Sequence, residues 1–217
     1  MRGVCYVAYG QSAIREAGLS LSTLRGHNAL PASVIGDAPI SGAAWLNPSN
    51  PGKPMPLAPG DAEGTRFAES PMRQSRWAKL NLDSWSPYDP TLYVDADTRV
   101  RGDLSFLFEA VEDGWDMVIA PSQRQGGDML GHLGAEEREA TQAVMPLALQ
   151  AGVFCFRKSP EVLALFESWR QEWGKRKRED MGALLRALAL NPVTIWLVSN
   201  DFNGGSVVEH RFGTVRR

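Results

Sequence analysis

The chain has 217 residues, of which 43% are hydrophobic and 22% are charged, a composition typical of one globular domain with a filled core. Its formal net charge of −2 excludes an overall electrostatic attraction to nucleic acid or to an anionic membrane. No apolar run approaches the roughly 20 residues of a membrane-spanning helix. The apolar run after Arg2 is too short for a secretory leader. We therefore expect a single cytoplasmic domain over residues 1–217.

The two cysteines, Cys5 and Cys155, each lie inside an apolar, strand-like run. Neither has a histidine at the spacing of a zinc site or of a cysteine protease motif. Buried free thiols in a reducing compartment are expected, rather than a disulfide or a catalytic thiol.

Short apolar runs predict the strands. Because these runs are apolar on both faces, they suit a parallel sheet that is covered on both sides. The predicted strands are Val4–Tyr9, Ala32–Ile35, Leu92–Val94, Met117–Ala120, Gly152–Phe156 and Val193–Val198.

Helical patterns alternate with these strands. One helix is expected to begin at Ser159 as its N-cap, with Pro160 in the first turn. An apolar stripe follows at helical spacing and includes Trp169 and Trp173. Two more helices are predicted over Arg73–Leu82 and Asp180–Leu190. The alternation predicts an α/β fold with a mostly parallel central sheet flanked by helices.

The segment Asn47–Gly64 interrupts this alternation with five prolines and three glycines. Because proline denies a backbone donor to a sheet or helix, we expect an exposed insert here. A domain linker is the alternative, but the residues before it are too few for a separate core.

The informative stretch is Thr91–Thr98, where an apolar strand ends in Asp95 and Asp97. In an extended chain, residues two apart point to the same side, so both carboxylates can reach one ion. Ligand sites of open α/β sheets lie at the carboxyl ends of strands. Carboxylate oxygens suit Mg²⁺ or Mn²⁺. An Asp-x-Asp alone is a weak signal, and its alternative is a turn with two exposed acids.

The stretch from Arg76 to Leu104 resembles the donor-site core of GT-A glycosyltransferases, and most of all the glycogenin and lipopolysaccharide galactosyltransferase type. Three further fragments stand in the order that this family shows. They are Gln150-Ala151-Gly152-Val153-Phe154, Asp180-Met181-Gly182-Ala183-Leu184-Leu185 and His210-Arg211-Phe212-Gly213-Thr214-Val215-Arg216. The resemblance covers Val4 to Arg216 without the insert, and its strength lies in the ordered co-occurrence of the four pieces.

The resemblance implies a role for each matching position in a metal-dependent transfer from a nucleotide sugar, with uridine diphosphate sugars as the family expectation. Asp95, Asp97 and His210 would bind Mn²⁺ or Mg²⁺, and Asp180, Asp97 and Lys79 would act in catalysis. Gly152 would let the backbone approach the sugar, whose hydroxyls Asp180 would bind. Lys79 would face the diphosphate or the sugar, and Ala96 would also contact the donor. The remaining donor-binding positions would border the nucleoside, namely Ala8, Tyr9, Gly10 and Asp37, or close over the diphosphate, namely Gly213 and Arg216.

One departure from the family pattern concerns the stereochemical outcome. Met181 replaces the glutamine beside Asp180, which is discussed as a nucleophile or charge stabiliser in retaining enzymes, and methionine can do neither. The resemblance favours retention, but the sequence assigns no outcome. Gln150 also stands where the family has asparagine.

Each assignment also has a structural alternative. His210 would otherwise be a surface residue at a strand end, Asp37 a turn residue, and Lys79 a solvated helix residue. Asp180 would otherwise be the N-cap of its own helix. The tryptophans Trp77, Trp169 and Trp173 are expected in the core, and His132 lies in a Gly-rich loop where an acceptor could be met.

The acceptor is not specified by the sequence. A glycan, a lipid-linked sugar, a protein side chain and a hydroxylated DNA base all stay open. The small size, the absence of a membrane element and the basic stretch Arg170–Arg178 leave DNA open, whereas the net acidity counts against it. The rival functions are a nucleotidyltransferase, against which the lack of a Gly-rich basic loop after the first strand counts, and a non-catalytic sugar- or nucleotide-binding module.

Overall fold

A computed structural model describes residues 1–47, 71–123, 133–144, 147–176 and 179–212. The helices and strands within these ranges are, in chain order, β1 Gly3–Ala8, α1 Gln11–His27, β2 Ala32–Gly36, β3 Ala44–Leu46, α2 Pro71–Lys79, α3 Leu82–Trp85, β4 Thr91–Val94, β5 Thr98–Val100, α4 Ser105–Glu112, β6 Met117–Pro121, α5 Ala135–Gln142, β7 Leu149–Phe156, α6 Pro160–Arg176, α7 Asp180–Leu190, β8 Ile195–Leu197 and β9 Val208–His210.

Seven of the described strands form one sheet in the order β3-β2-β1-β4-β7-β6-β8. Neighbours are parallel from β3 to β4 and again between β6 and β8. Strand β7 runs antiparallel to both of its neighbours. The α/β fold with a mostly parallel sheet is therefore confirmed, with one reversed strand that the sequence pattern did not indicate.

Two apolar cores cover the two faces of this sheet. Successive residues of β1 alternate between them, since Val4 and Tyr6 pack with α1 and α4, whereas Cys5 and Val7 pack with α2, α6 and α7. The alternation explains why the strands are apolar throughout. Trp77, Trp169 and Trp173 all lie in the second core, and Cys5 and Cys155 are buried free thiols, as expected.

The helix predictions hold with one correction. The Ser159 hydroxyl accepts a hydrogen bond from Val162 N, which confirms it as the N-cap of α6, and α7 has the predicted bounds. The helix expected over Arg73–Leu82 is instead divided into α2 and α3. The Asn81 amide donates to Trp77 O, and such side-chain bonds to backbone compete with helix continuation.

A second, two-stranded sheet pairs β5 with β9 in antiparallel register. The sequence predicts a short edge strand over Ser206-Val207-Val208 that delivers His210, but β9 begins two residues later and includes His210 itself. None of the described helices is both long enough and apolar enough to cross a membrane. Of the expected insert, residues 48–64 lie outside the described ranges.

Candidate metal and donor site

The candidate site lies in a cleft at the carboxyl ends of β1 and β4. Strand β7 forms the floor, and α2 and the start of α7 form one wall. The lining residues include Tyr9, Gly10, Lys79, Asp95, Ala96, Asp97, Gly152, Asp180, Met181 and His210. Most of the positions singled out in the sequence therefore meet in one place, as the carboxyl-end rule for α/β sheets predicts.

The chain between β4 and β5 holds the two acids in place. Asp95 N donates to Gly152 O at 2.8 Å, and the Thr98 hydroxyl donates to Asp95 O at 2.9 Å. Beyond the turn, Arg211 N donates to Asp97 O at 2.8 Å. These backbone bonds fix Asp95 to β7 and Asp97 to the segment that carries His210.

The β5–β9 pairing brings His210 to these acids across 113 residues of sequence. Thr98 is the register partner of His210, which places the imidazole beside Asp97. His210 Nε2 lies 3.1 Å from Asp97 Oδ1 and 3.6 Å from Asp95 Oδ2. The alternative of a surface histidine is wrong, because only 4% of its side chain is exposed.

The donor set of these three residues fits a divalent metal ion. One ligand atom from each of Asp95, Asp97 and His210 lies within 4.8 Å of the others, a spacing that a single ion can bridge. Two carboxylates and one imidazole suit Mg²⁺ or Mn²⁺, and the nitrogen favours Mn²⁺ of the two. All three residues also line the cleft.

Gly152 has a structural role beside this site that the sequence did not indicate. A Cβ atom there would overlap the His210 ring, and it would lie 3.0 Å from Asp95 Oδ2. The space that a side chain would fill is therefore occupied by the candidate metal ligands. The expectation that Gly152 lets the backbone approach a sugar stays a prediction.

Lys79 lies between two carboxylates. Its Nζ is 2.8 Å from Asp180 Oδ2 and 3.5 Å from Asp95 Oδ1. Burial lowers the pKa of Lys79, but the charges of Asp180 and Asp95 more than offset it, so its pKa lies above the ordinary value. The alternative of a solvated helix residue is wrong, because Lys79 is 5% exposed.

Asp180 is ionised and is held by cations. Burial raises its pKa, but Lys79 and Arg76 together lower it below the ordinary range. The proposed N-cap role is wrong, since Glu179 occupies the N-cap of α7. Met181, next in the chain, lines the same cleft and offers neither charge nor a nucleophile.

Tyr93 is a site residue that the sequence analysis missed. Its hydroxyl donates to Asp95 Oδ1 at 2.5 Å, and its ring faces Lys79 Nζ at 4.9 Å. Burial, followed by the charge of Asp95, raises the pKa of Tyr93 well above its usual value, so it remains a donor. Its position inside an apolar strand gave no signal beyond packing.

The expected nucleoside end lies where β1 meets α1. Asp37 accepts a hydrogen bond from Gly10 N at 3.0 Å, and Gly10 has φ +84, which glycine adopts without strain. Tyr9 and Gly10 line the cleft, and the Tyr9 hydroxyl has no hydrogen-bond partner among the described residues. The Ala8 side chain is buried in the core, so any contact with a donor falls to its backbone.

Some predicted positions lie outside the described residues, namely Gly213, Arg216 and His132. Two cations of the basic stretch are paired with acids. Arg170 bonds to Asp83 at 2.8 Å and to Glu167 at 3.0 Å, and Lys175 pairs with Glu172. These two cations therefore give no support to a DNA acceptor.

The fold is shared with solved glycosyltransferases. Comparison with protein-family models gave no match, and neither did comparison with curated proteins. Among solved structures, the chain is similar to the glycosyltransferase GlyE of Streptococcus pneumoniae TIGR4, with 17% identity and a TM-score of 0.57. The match covers 93% of this chain and 46% of GlyE, so the chain spans less than half of that protein's length.

Two further structures show the same likeness. Mouse xyloside xylosyltransferase 1 matches with 12% identity and a TM-score of 0.61, over 92% of this chain and 86% of that one. The galactosyltransferase LgtC, solved with donor and acceptor sugar analogs, matches with 15% identity and a TM-score of 0.57, over 92% and 74%. The resemblance to GT-A glycosyltransferases of the LgtC type is thus confirmed for the fold.

Proposed function

We propose that the protein is a metal-dependent glycosyltransferase, which moves a sugar from a nucleoside diphosphate sugar to a hydroxyl acceptor. The observation that carries this proposal is the convergence of Asp95, Asp97 and His210 at the mouth of a cleft. These residues come from two distant segments, and a merely structural role gives no reason for two acids and a histidine to meet beside open space. The shared fold supports the same reading.

In this proposal, Asp95, Asp97 and His210 hold Mn²⁺ or Mg²⁺. The ion would neutralise charge that develops on the departing nucleoside diphosphate. Tyr93 donates to one oxygen of Asp95 and thereby directs its other oxygen toward His210. Such outer partners orient the ligands of a metal site.

The sugar would lie between the metal ligands and the start of α7. Asp180 is ionised and faces the cleft, so its oxygens can accept hydrogen bonds from sugar hydroxyls. Lys79 bonds to both Asp180 and Asp95 and so keeps the sugar-binding carboxylate at a fixed distance from the metal ligands. Met181 lines the same end of the cleft and carries no charge, so we assign the sugar-binding carboxylate to Asp180.

The test is a panel of nucleotide sugars, incubated with the protein and Mn²⁺, with each product identified. Sugar transfer or donor hydrolysis releases the nucleoside diphosphate, nucleotidyl transfer from the same donor releases the sugar 1-phosphate, and a binding module releases neither. We expect nucleoside diphosphate release that excess chelator abolishes, with uridine diphosphate sugars as the first donors to test.

The matched variants are Asp97→Asn and Asp113→Asn. Asp97→Asn removes one metal-binding charge at nearly constant shape, so turnover should be lost while thermal stability stays nearly unchanged. Asp113 is an exposed acid at the end of α4, and its variant should keep full activity. Undiminished release in excess chelator, or in Asp97→Asn, would contradict the proposal.

A further inference from the structure

Asn203 is a buried polar residue that contacts His210 on the side away from the acids. It follows a short 3-10 helix, Asn200–Phe202, and only 1% of its surface is exposed. Its Oδ1 lies 2.7 Å from His210 Nδ1, and its Nδ2 donates to Gln150 O at 2.9 Å. The side chain therefore bridges the histidine and strand β7.

These two contacts determine where the proton of a neutral imidazole lies. A backbone carbonyl can only accept, so the Asn203 atom that faces Gln150 O must be the NH₂ group. The opposite end is then the amide oxygen, which also only accepts, so His210 Nδ1 must carry the hydrogen. Nε2 of the neutral ring is left with its lone pair facing Asp95 and Asp97, as a metal ligand requires.

Packing fixes the plane of the same ring. Gly152 leaves room for its edge, because a Cβ there would lie 2.8 Å from His210 Nδ1. The Phe212 ring stacks on the imidazole with centroids 3.9 Å apart and an interplanar angle of 28°. The ring thus has one orientation, and Asn203 selects the tautomer within it.

We propose that Asn203 is a positioning residue, which holds His210 in the Nδ1–H tautomer and so prepares Nε2 to bind the metal ion. This inference rests on the proposed function, because it assumes that the ion lies between His210 and the two acids. Losing such a partner of a ligating histidine weakens metal binding by about 10- to 100-fold.

The first test is a titration with Mn²⁺, in which free Mn²⁺ is measured by electron paramagnetic resonance. Asn203→Ala is expected to bind Mn²⁺ about 10- to 100-fold more weakly than the wild type. Asn203→Asp keeps an oxygen that accepts from Nδ1–H, so it should retain the affinity within a few-fold. If Asn203→Asp loses as much as Asn203→Ala, the bond to Gln150 is what matters and the inference is wrong.

Asn200→Ala is the matched control. Asn200 lies in the same turn, and its Oδ1 has no hydrogen-bond partner among the described residues. Its variant truncates a neighbouring side chain of the turn and removes no hydrogen bond to His210, so Mn²⁺ affinity should stay within about twofold of the wild type. A loss equal to that of Asn203→Ala would assign the effect to general loosening and overturn the inference.

A double-mutant cycle tests whether Asn203 affects Mn²⁺ affinity through His210 or in another way. In a His210→Ala background, Asn203→Ala should change Mn²⁺ affinity by less than about twofold, because no imidazole remains to be positioned. An equal loss in both backgrounds would contradict the inference, and thermal unfolding of each variant shows whether it is folded.

The tautomer of His210 can also be measured in the wild-type protein, so this test does not depend on whether a variant folds. The chain has three histidines, so long-range proton–nitrogen spectra of the Mg²⁺-loaded protein can resolve each ring. We expect hydrogen on Nδ1 of His210 and none on Nε2, and the reverse assignment overturns the inference. If wild type binds no Mn²⁺, the proposed function fails as well; if it binds Mn²⁺ and Asn203→Ala binds equally, only this inference fails.

Discussion

The space at Gly152 is filled by the His210 ring, so one methyl group there should disturb the metal site. In Gly152→Ala the imidazole must move away from the acids, and we expect Mn²⁺ affinity to fall at least about tenfold, the scale on which metal sites respond to lost orientation. Gly26→Ala is the control, since nothing lies within 4 Å of a Cβ at Gly26. That variant should keep its affinity and gain up to about 1 kcal/mol of stability. If Gly152→Ala and the wild type bind Mn²⁺ with equal affinity, the His210 ring does not occupy the space at Gly152 when it binds the ion.

The Lys79–Asp180 pair gives a prediction about stability. Both side chains are largely buried, so Lys79→Met leaves Asp180 without its main partner. We expect a loss of about 3–5 kcal/mol in the free energy of unfolding, measured with urea. The double variant Lys79→Met/Asp180→Asn removes the unpaired charge and should recover part of that loss. If the double variant is as unstable as the sum of the two single variants, the buried charges are not coupled.

At the scale of the elements, Asp116 joins the ends of β6, α6 and β8. Its carboxylate accepts hydrogen bonds from Thr194, Ser159 and Arg157. Burial raises the pKa of Asp116, but these bonds more than offset it, so its pKa lies below the ordinary value of 3.8.

The lowered pKa of Asp116 sets the sign of a pH dependence. The unfolded chain takes up the proton first as pH falls, so the stabilisation is present above pH 3.8 and is lost as pH drops through the folded pKa. Asp116→Asn should therefore be less stable by about 1–3 kcal/mol near pH 7, with a smaller difference below pH 3.8. The measurement is the free energy of unfolding of the wild type and of Asp116→Asn, obtained with urea near pH 7 and below pH 3.8. A difference that does not depend on pH would show that the charge of Asp116 is unimportant.

Elements with a strong local pattern could be predicted from the sequence. The apolar runs of β1, β4 and β7 are continuous, and the burial of both sheet faces follows from them, while the apolar stripe of α6 repeats at helical spacing. Strand β5 could not be predicted and β9 was predicted two residues too early, because each has three residues and is defined by a partner distant in sequence. The reversed direction of β7 is likewise decided by its neighbours and not by its own residues.

The candidate site could be predicted only in part, because some of its residues are brought together by segments distant in sequence. Asp95 and Asp97 follow a strong strand signal. His210 was predicted only from the resemblance, because the pairing of β5 with β9 is what brings it to the two acids. Asn203 stands in a turn with Asn200 and two glycines, where such residues are expected for local reasons. Its role depends on contacts with β7 and β9, which no local pattern contains.

For the whole molecule, the fold brings the carboxyl end of β4 and strand β9 to one cleft. The assignment of residues 1–217 to a single domain stays a prediction, as do the identities of the sugar and the acceptor. A narrower claim rests on the geometry of the described residues. We propose that Asp97 and His210 bind the same ion as Asp95, despite their separation in sequence. A donor diphosphate would bind the same ion from the cleft.

A Mn²⁺ titration of the wild type and of His210→Ala, with and without uridine diphosphate, tests that claim most directly. His27→Ala is the control, since His27 is exposed at the end of α1. We expect Mn²⁺ and the diphosphate to strengthen each other's binding to the wild type. His210→Ala should bind Mn²⁺ at least about tenfold more weakly, which is about 1.4 kcal/mol, while His27→Ala should match the wild type. Identical titrations of wild type and His210→Ala would show that His210 does not bind the ion.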